Sequence, residues 1–506
     1  MPASILELIA ERLSLTQKLA MCGVNRHWRQ ALVGSRLLWN CTELDLTDAG
    51  EKRMAQILDF VAARAEGIRE LELTLGCGKQ WPEATFLLGM LHPTLRRLLV
   101  AAPDLAAELP AGGAAYLSCL RGLTSLDLDN CLASLGPGIG QLTCLQELLV
   151  SHDELSYDFE VPDELGALTQ LTRLELVRCV AGHLPRELGL LTRLRLLNLE
   201  GSDLEEATDE LSEVLGSLVN LEELDLGTCN LADMPSTLSC LTSLTTLSLE
   251  SAVCPNSWNA DTWDAKLACL STLERLLYLE LADNDLRAVP SSVAGMRRLE
   301  TLKLGLNPLT AAGLVDGPYL ESLLHLDLRG GRFTELPQHL TRASKLQFLG
   351  LACCHDLVLD RQLAEDVLGR LPSLTTLTLC GQMMHSVESA RMVLALGRML
   401  PELDIHSHGE EGEGSDEEGD EDADEEDSDL GLDSDDGEDD FSDEDDDEEE
   451  DEEDEEEWDE EWEGQQHGGF GHGGGEDVGG SADWGGILPP DGALHGLLGS
   501  GNWNLH

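Results

Sequence analysis

The sequence predicts an α/β solenoid, in which short stacked repeats line their concave side with a parallel β-sheet. One observation is a recurring Leu-x-x-Leu-x-Leu, as in Leu221, Leu224 and Leu226. A second is its period, because the first leucine recurs every 22 to 32 residues, at positions 123, 145, 171, 194, 221, 244, 276, 299, 323, 346, 374 and 403. Alternate residues of a strand point the same way, so each Leu-x-Leu predicts a short strand whose leucines must be covered by neighbouring repeats.

The period and the residue pattern of these copies resemble those of the leucine-rich-repeat family. Residues at the ninth position strengthen the resemblance, because they are often Cys or Asn, which turn the chain into the core and bond to backbone there. The copies with this feature carry Cys131, Cys179, Cys229, Cys354, Asn284 and Asn307. The resemblance implies a horseshoe with a concave parallel sheet, spanning a regular array over residues 123–408.

Residues 1–40 lack the repeat and predict a small all-α module. Ser4 with Glu7, and Ser14 with Gln17, have the spacing of capping boxes and mark two helix starts. Short helices of this size have little core of their own, so they should present apolar surface to a partner or to the array. One interpretation is that they simply cap the open end of the solenoid.

The same forty residues resemble an F-box. Met1-Pro2, Val24-Asn25-Arg26-His27-Trp28-Arg29 and Leu38-Trp39 match that family's opening, its central signature and its close. The resemblance implies docking on the Skp adaptor of a cullin ubiquitin ligase, with substrate held by the repeats. The apolar anchors implied for the adaptor are Pro2, Ile5, Leu6, Ile9, Leu13, Leu15, Leu19 and Val24.

Residues 41–122 predict longer, irregular repeats that follow the helical module without a flexible linker. Leu44-Asp45-Leu46, Leu71-Glu72-Leu73 and Leu98-Leu99-Val100 read as their strands, 27 residues apart. Units of this length have room for true helices. In the regular array, Pro-x-x-Leu elements after Leu184, Met234, Val289 and Leu336 predict short helical turns instead, because proline fixes φ.

The third, fifth and seventh positions of each repeat should face away from the core on the inner sheet. The charged residues among them are mainly acidic as far as Glu280, and the face becomes mixed and more aromatic beyond it. The candidate substrate-binding residues are Glu175, Glu223, Asp225, Glu280, Tyr278, Lys303, His325, Arg329 and Phe348. A solvated polar sheet face is the alternative interpretation. Likewise Trp258 and Trp263, in the longest repeat, either contact a partner or pack on the next repeat.

Charge and composition exclude several functions. The chain carries a formal charge of −65, and 54 acidic against 32 basic residues precede Glu410, without the basic clusters of a nucleic-acid binder. No secretory signal or membrane-length apolar run occurs, and no Cys-x-x-Cys pair, which favours a reducing compartment in cytoplasm or nucleus. We expect no catalytic residues, metal or cofactor. The Gly136–Gly140 run lacks the Lys-Ser/Thr of a phosphate loop, and His406 and His408 are only two ligands.

Residues 409–506 predict a disordered tail, first acidic and then glycine-rich. Acidic residues make up 39 of the 54 from Glu410 to Glu463, and no Lys or Arg follows Arg398. Ser415 and Ser442, each followed by three acidic residues, resemble acidophilic kinase sites. Array and tail together resemble the acidic leucine-rich nuclear phosphoproteins, so an alternative to the ligase subunit is binding of histones or other basic proteins. A further alternative is a cytoskeletal or axonemal scaffold.

Overall fold

A single parallel sheet, with one strand from each repeat, runs through the part of the chain that the computed structural model describes: residues 40–47, 57, 61, 65–76, 81–91, 93–102, 117–130, 135–153, 159–253, 262–381 and 386–408. Its fifteen strands follow the order of the sequence from β1 to β15. They are Cys41–Asp45, Glu70–Thr74, Arg97–Ala101, Ser125–Asp129, Glu147–Ser151, Arg173–Val177, Leu196–Asn198, Glu223–Asp225, Thr246–Ser248, Tyr278–Glu280, Thr301–Lys303, His325–Asp327, Phe348–Leu351, Thr376–Cys380 and Asp404–His408. The predicted solenoid is confirmed, and β4 to β14 correspond to the first eleven leucine registers of the sequence. In β15, Ile405 lies opposite Leu377, so the first position of the last repeat is Glu402 and not the predicted Leu403.

The leucines of the repeat stack in register to form the core. Leu279 of β10 lies opposite Leu247 of β9 and Leu302 of β11, and all three are 0% exposed. The same alignment recurs along the array, and the buried leucines form one continuous hydrophobic cluster. Each repeat therefore obtains its burial from its two neighbours, which is why a single repeat would not fold alone.

The ninth position turns the chain into the core, as the sequence predicts. The buried Cys229 thiol donates to the Leu199 carbonyl at 3.0 Å, and the Cys354 thiol donates to Leu328 at 3.3 Å. Asn307 bonds more extensively, because its amide both donates to Leu281 and accepts from Asn284. These bonds satisfy backbone groups where the chain leaves the sheet. Cys131, predicted for the same role, lies outside the described residues.

The residue just before that turn has a left-handed backbone in most regular repeats. The non-glycine examples are Asn130, Arg178, Thr228, Ser251, Asp283, Leu306 and Cys353, with φ between 46° and 56°. Gly330 occupies the same position with φ 69°, and a Cβ there would come within 2.9 Å of the Leu306 side chain. The Leu306 side chain thus occupies the space that a side chain at position 330 would need.

The convex side consists mainly of short 3₁₀ helices, in agreement with the Pro-x-x-Leu prediction. Pro185, Pro235 and Pro337 each immediately precede one of them. The 3₁₀ segments are Pro137–Gln141, Asp163–Ala167, Arg186–Leu190, Ser236–Cys240, Leu267–Thr272, Pro318–Glu321, Gln338–Arg342 and Leu368–Arg370. A 3₁₀ turn advances faster per residue than an α-helix, which suits repeats of about 23 residues.

Most of the α-helices occupy the same place in longer repeats. The helices are α1 Trp81–Leu91, α2 Thr208–Ser217, α3 Trp263–Lys266, α4 Ser291–Ala294, α5 Arg361–Asp366 and α6 Val387–Met399. Helix α4 is a single turn in the 23-residue repeat that begins at Leu276. Helix α1 confirms that the irregular early repeats have room for a true helix. No helix of the described residues is long and apolar enough to cross a membrane.

The position of Trp263 decides between partner contact and packing within the solenoid for this residue. It begins α3 and is only 4% exposed, packed in the core cluster. Its indole therefore stabilises the stack and is not available to a partner. Trp258 lies outside the described residues.

Candidate functional site

Five acidic residues on consecutive strands form a zigzag across the inner face of the sheet, which we call the acidic ladder. Glu175 of β6, Asp225 of β8 and Glu280 of β10 occupy the fifth position of their repeats, and Glu200 and Glu250, just past β7 and β9, occupy the seventh. Neighbouring parallel strands lie about 4.8 Å apart and two residues span about 6.6 Å, so successive Cα atoms of the ladder are about 8 Å apart. The ladder is thus about 19 Å long, over four strand spacings.

Burial and mutual repulsion make three of these carboxylates, those of Glu200, Asp225 and Glu250, reluctant to ionise. Burial raises the pKa of Glu200, and the charges of Asp225, Glu280 and Glu175 raise it further. Burial likewise raises the pKa of Asp225, because it outweighs the hydrogen bonds from Gly227 and Ser248 that lower it, and Glu280 and Glu175 add repulsion. Burial is also the main cause of the raised pKa of Glu250, followed by its neighbour Glu280. The ladder is therefore an under-compensated strip of negative charge, a state that a bound cationic group would relieve.

Cations stand at both ends of the ladder. Arg173 pairs with Glu175 at the first end, where the Arg178 guanidinium also lowers the pKa of Glu200. At the other end Lys303 of β11 lies 3.2 Å from a Glu280 carboxylate oxygen. Glu280 also accepts a hydrogen bond from Tyr278, and the Lys303 Nζ lies 5.5 Å from the centre of the Tyr278 ring.

These contacts shift the titration of both Lys303 and Tyr278. Burial disfavours the charged form of Lys303, but the hydrogen bond with Tyr278 and the Glu280 charge outweigh it and raise the lysine's pKa. Burial, with the hydrogen bond to Glu280, raises the pKa of Tyr278 to about 12. Lys303 therefore stays protonated and Tyr278 neutral at physiological pH, so the charge of the ladder ends at a fixed positive group.

Beyond Lys303 the inner face becomes aromatic. The rings of His325 on β12 and Phe348 on β13 stack with centroids 6.0 Å apart and planes 29° apart. Gly350, two residues further along β13, has no side chain, and a Cβ there would lie 3.3 Å from the Phe348 ring and 2.5 Å from an Asp327 oxygen. Arg329 pairs with Asp327 at 2.7 Å beside these two rings, which we call the aromatic shelf.

The structure brings most of the sequence-predicted substrate residues onto this one face but exposes them unequally. Glu223, His325 and Arg329 are exposed, and Glu175, Asp225, Tyr278, Lys303 and Phe348 are half-buried. Glu280 is only 8% exposed, because Tyr278 and Lys303 cover its carboxylate. It therefore acts on the face through its charge and its neighbours and has little surface for direct contact.

Other residues singled out in the sequence have structural explanations or lie elsewhere. The glycine run forms the convex 3₁₀ helix Pro137–Gln141, with Ile139 buried. His406 faces Asp404 at 3.3 Å on β15. Within the described ranges, no group of three His, Cys, Asp or Glu side chains could hold a metal ion. The adaptor-binding candidates Pro2 to Val24 and the serines Ser415 and Ser442 lie outside the described residues.

Comparisons with known proteins give remote structural likenesses. No protein-family model and no curated protein matches the chain. A leucine-rich-repeat protein of Leptospira interrogans is 20% identical over 78% of this chain and 98% of its own, with a TM-score of 0.48. An internalin of Listeria monocytogenes is 19% identical over 59% of this chain and 83% of its own, with a TM-score of 0.42. At such identities and TM-scores neither likeness carries an argument about partners. The chain's own repeats, turn residues and strand order make it a leucine-rich-repeat solenoid.

Proposed function

We propose that the chain is a non-catalytic protein-interaction scaffold whose inner sheet face holds a basic segment of a partner protein. The observation that carries this proposal is the acidic ladder, because it alternates over five consecutive strands and its carboxylates repel one another. A lysine or arginine side chain placed between them removes that repulsion, so binding should strengthen as salt is lowered.

The test uses the whole chain and a fluorescein-labelled lysine-rich peptide, with affinity measured by anisotropy. Glu200→Gln with Asp225→Asn should weaken binding about tenfold at low salt, since two desolvated charges are lost. The acidic tail will bind the same peptide, so the matched control removes two charges there, Glu421→Gln with Asp422→Asn. Equal affinities of the two double variants would show that the inner face is not the binding surface.

We further propose that this scaffold is the substrate-recognition subunit of an SCF-type ubiquitin ligase, with the ladder receiving a basic substrate for ubiquitin-dependent degradation. The support is the F-box resemblance of residues 1–40, which lead directly into β1 at Cys41. The catalytic step would belong to the ligase partners. This arrangement suits a rigid receptor, because the solenoid sheet begins where the F-box-like sequence ends.

Capture of purified Skp adaptor by the intact chain tests the ligase proposal. Ile5→Ala with Leu6→Ala should abolish capture, because interface affinity concentrates in a few apolar anchors. A matched control removes two exposed apolar side chains from α6, Val387→Ala with Leu394→Ala, which are 69% and 64% exposed. If the unaltered chain fails to retain the adaptor, the ligase role is refuted while the scaffold proposal stands.

A second candidate function is histone binding through the tail, favoured by the 39 acidic residues between Glu410 and Glu463. Salt-sensitive histone binding should then survive removal of residues 1–40 and be lost on removal of residues 409–506. Retention of histones by the chain without its tail would refute this candidate.

A further inference from the structure

The inner face has two chemically different halves that meet at a sharp boundary. The acidic ladder covers β6 to β10, and the stacked His325 and Phe348 rings lie on β12 and β13. Between them Lys303 of β11 pairs with Glu280, and Arg329, just past β12, pairs with Asp327. The two halves lie on the same continuous sheet, so a single extended segment can contact both.

The two cations at the boundary limit where a basic segment can lie. Lysine or arginine side chains are attracted by the ladder, but beyond Glu280 they meet the positive charges of Lys303 and Arg329. A basic run shifted by one strand towards β12 would therefore lose an acid and gain a repulsive neighbour. The boundary fixes the register of the bound segment.

The aromatic shelf favours a different side chain. Phe348 is half-buried and its ring packs along the exposed His325 ring, and Gly350 beside it has no side chain that would crowd the Phe348 ring. An aromatic or aliphatic side chain placed there gains apolar burial and ring stacking that a lysine does not. From β10 to β13 are three strand spacings, about 14 Å, which an extended chain covers in about four residues.

From this geometry we propose that the inner face recognises a bipartite extended segment: a run of basic residues on the acidic ladder, and one aromatic or large aliphatic residue about four positions away, on the His325–Phe348 pair. This inference rests on the proposed scaffold function and specifies its partner. The segment spans about ten residues, because β6 to β13 cover about 34 Å. The boundary cations make the order of the two parts, not only the composition, decisive.

Synthetic peptides test the order directly on the full chain. The reference peptide alternates lysine and serine over seven residues and carries a phenylalanine four residues beyond the last lysine. A second peptide has alanine in place of the phenylalanine, and a third moves the phenylalanine among the lysines at unchanged composition. Each is made with the phenylalanine after or before the basic run, and affinity is measured by fluorescence anisotropy at low and moderate salt.

The reference peptide should bind about tenfold more tightly than either of the other two, in at least one chain direction. This advantage should persist at moderate salt, since apolar burial is not screened. Phe348→Ala should reduce it to less than about twofold. Phe86→Ala, which removes a 64%-exposed phenylalanine from α1, is the matched control and should leave it unchanged.

Equal affinities of the three peptides, or an advantage that survives Phe348→Ala, would overturn the bipartite reading. That result is separable from failure of the scaffold proposal. If Glu200→Gln with Asp225→Asn still weakens the reference peptide, the ladder binds basic segments without reading a second part. If neither that double variant nor Phe348→Ala changes affinity, the inner face binds no such segment and both proposals fail.

Discussion

Asn307 is the residue whose loss should most sharply damage a single turn of the solenoid. It is 1% exposed, and its Oδ1 accepts hydrogen bonds from the backbone N–H groups of Asn284 and Leu286 at 3.0 and 2.8 Å. Its Nδ2 donates to the Leu281 carbonyl at 2.7 Å. The side chain therefore joins two repeats through their backbones, which an apolar residue of any size cannot do.

Asn307→Ala leaves two buried N–H donors without an acceptor. Each unsatisfied buried donor costs about 1–3 kcal/mol, so the free energy of unfolding should fall by about 2–6 kcal/mol. Asn307→Cys should lose less than the alanine variant, because cysteine fills this position at Cys229, where it donates to a backbone carbonyl. Its weak acceptor sulfur should still not restore full stability.

Urea unfolding measures the global loss, and hydrogen exchange at the Asn284 and Leu286 amides measures the local one. Exchange is essential because repeat arrays can open locally without unfolding throughout. The control is Asn220→Ala, which removes an exposed amide bonded to the Thr192 carbonyl and should change stability by less than about 0.5 kcal/mol. Unchanged exchange at both amides, with a loss below about 1 kcal/mol, would refute the reasoning.

Three further predictions concern charge, backbone and thiols. Because the folded-state pKa of Asp225 is raised, the folded protein binds more protons than the unfolded chain just above the ordinary carboxyl pKa. The contribution of Asp225 to the free energy of unfolding therefore falls as pH rises through its folded-state pKa. Asp225→Asn should remove this fall, which urea unfolding at several pH values measures. Leu306→Gly should stabilise the fold by up to about 1 kcal/mol, because it relieves a left-handed leucine at φ 56°. Gly330→Ala should destabilise the fold by about 1–3 kcal/mol, and thermal unfolding measures both variants. Burial raises the pKa of the Cys229 thiol, so mass spectrometry after native alkylation should find Cys240, which is exposed, modified and Cys229 intact.

The sequence predicts the scaffold well because its strongest signal is local. Three leucines at fixed spacing specify a strand and its buried side, and each strand then pairs with the next one along the chain. The same logic predicts the ninth-position turn, as Cys229 and Asn307 show. The left-handed residue before it is less visible, because leucine at 306 carries no glycine-like signal.

The functional face depends on side chains from different repeats, which limits prediction from sequence. The pattern places Glu280 on the inner face, but its burial is caused by Tyr278 and by Lys303, which comes from the following repeat. The pattern similarly leaves Trp263 open to two interpretations, and its packing decides between them. The strand-by-strand alternation of the ladder emerges only when the strands are set side by side.

Because the acidic residues of the ladder alternate between two columns, deleting an odd number of repeats and deleting an even number have different effects. Deleting residues 221–243 would remove β8 and join two otherwise compatible repeats, so the core could close again. Glu200 and Glu250 would then occupy the same column of adjacent strands, about 4.8 Å apart instead of about 9.6 Å. Removing two consecutive repeats would keep acids in alternating columns. Deleting an even number of repeats therefore keeps the alternation of the acidic residues, whereas deleting an odd number places two acidic residues side by side.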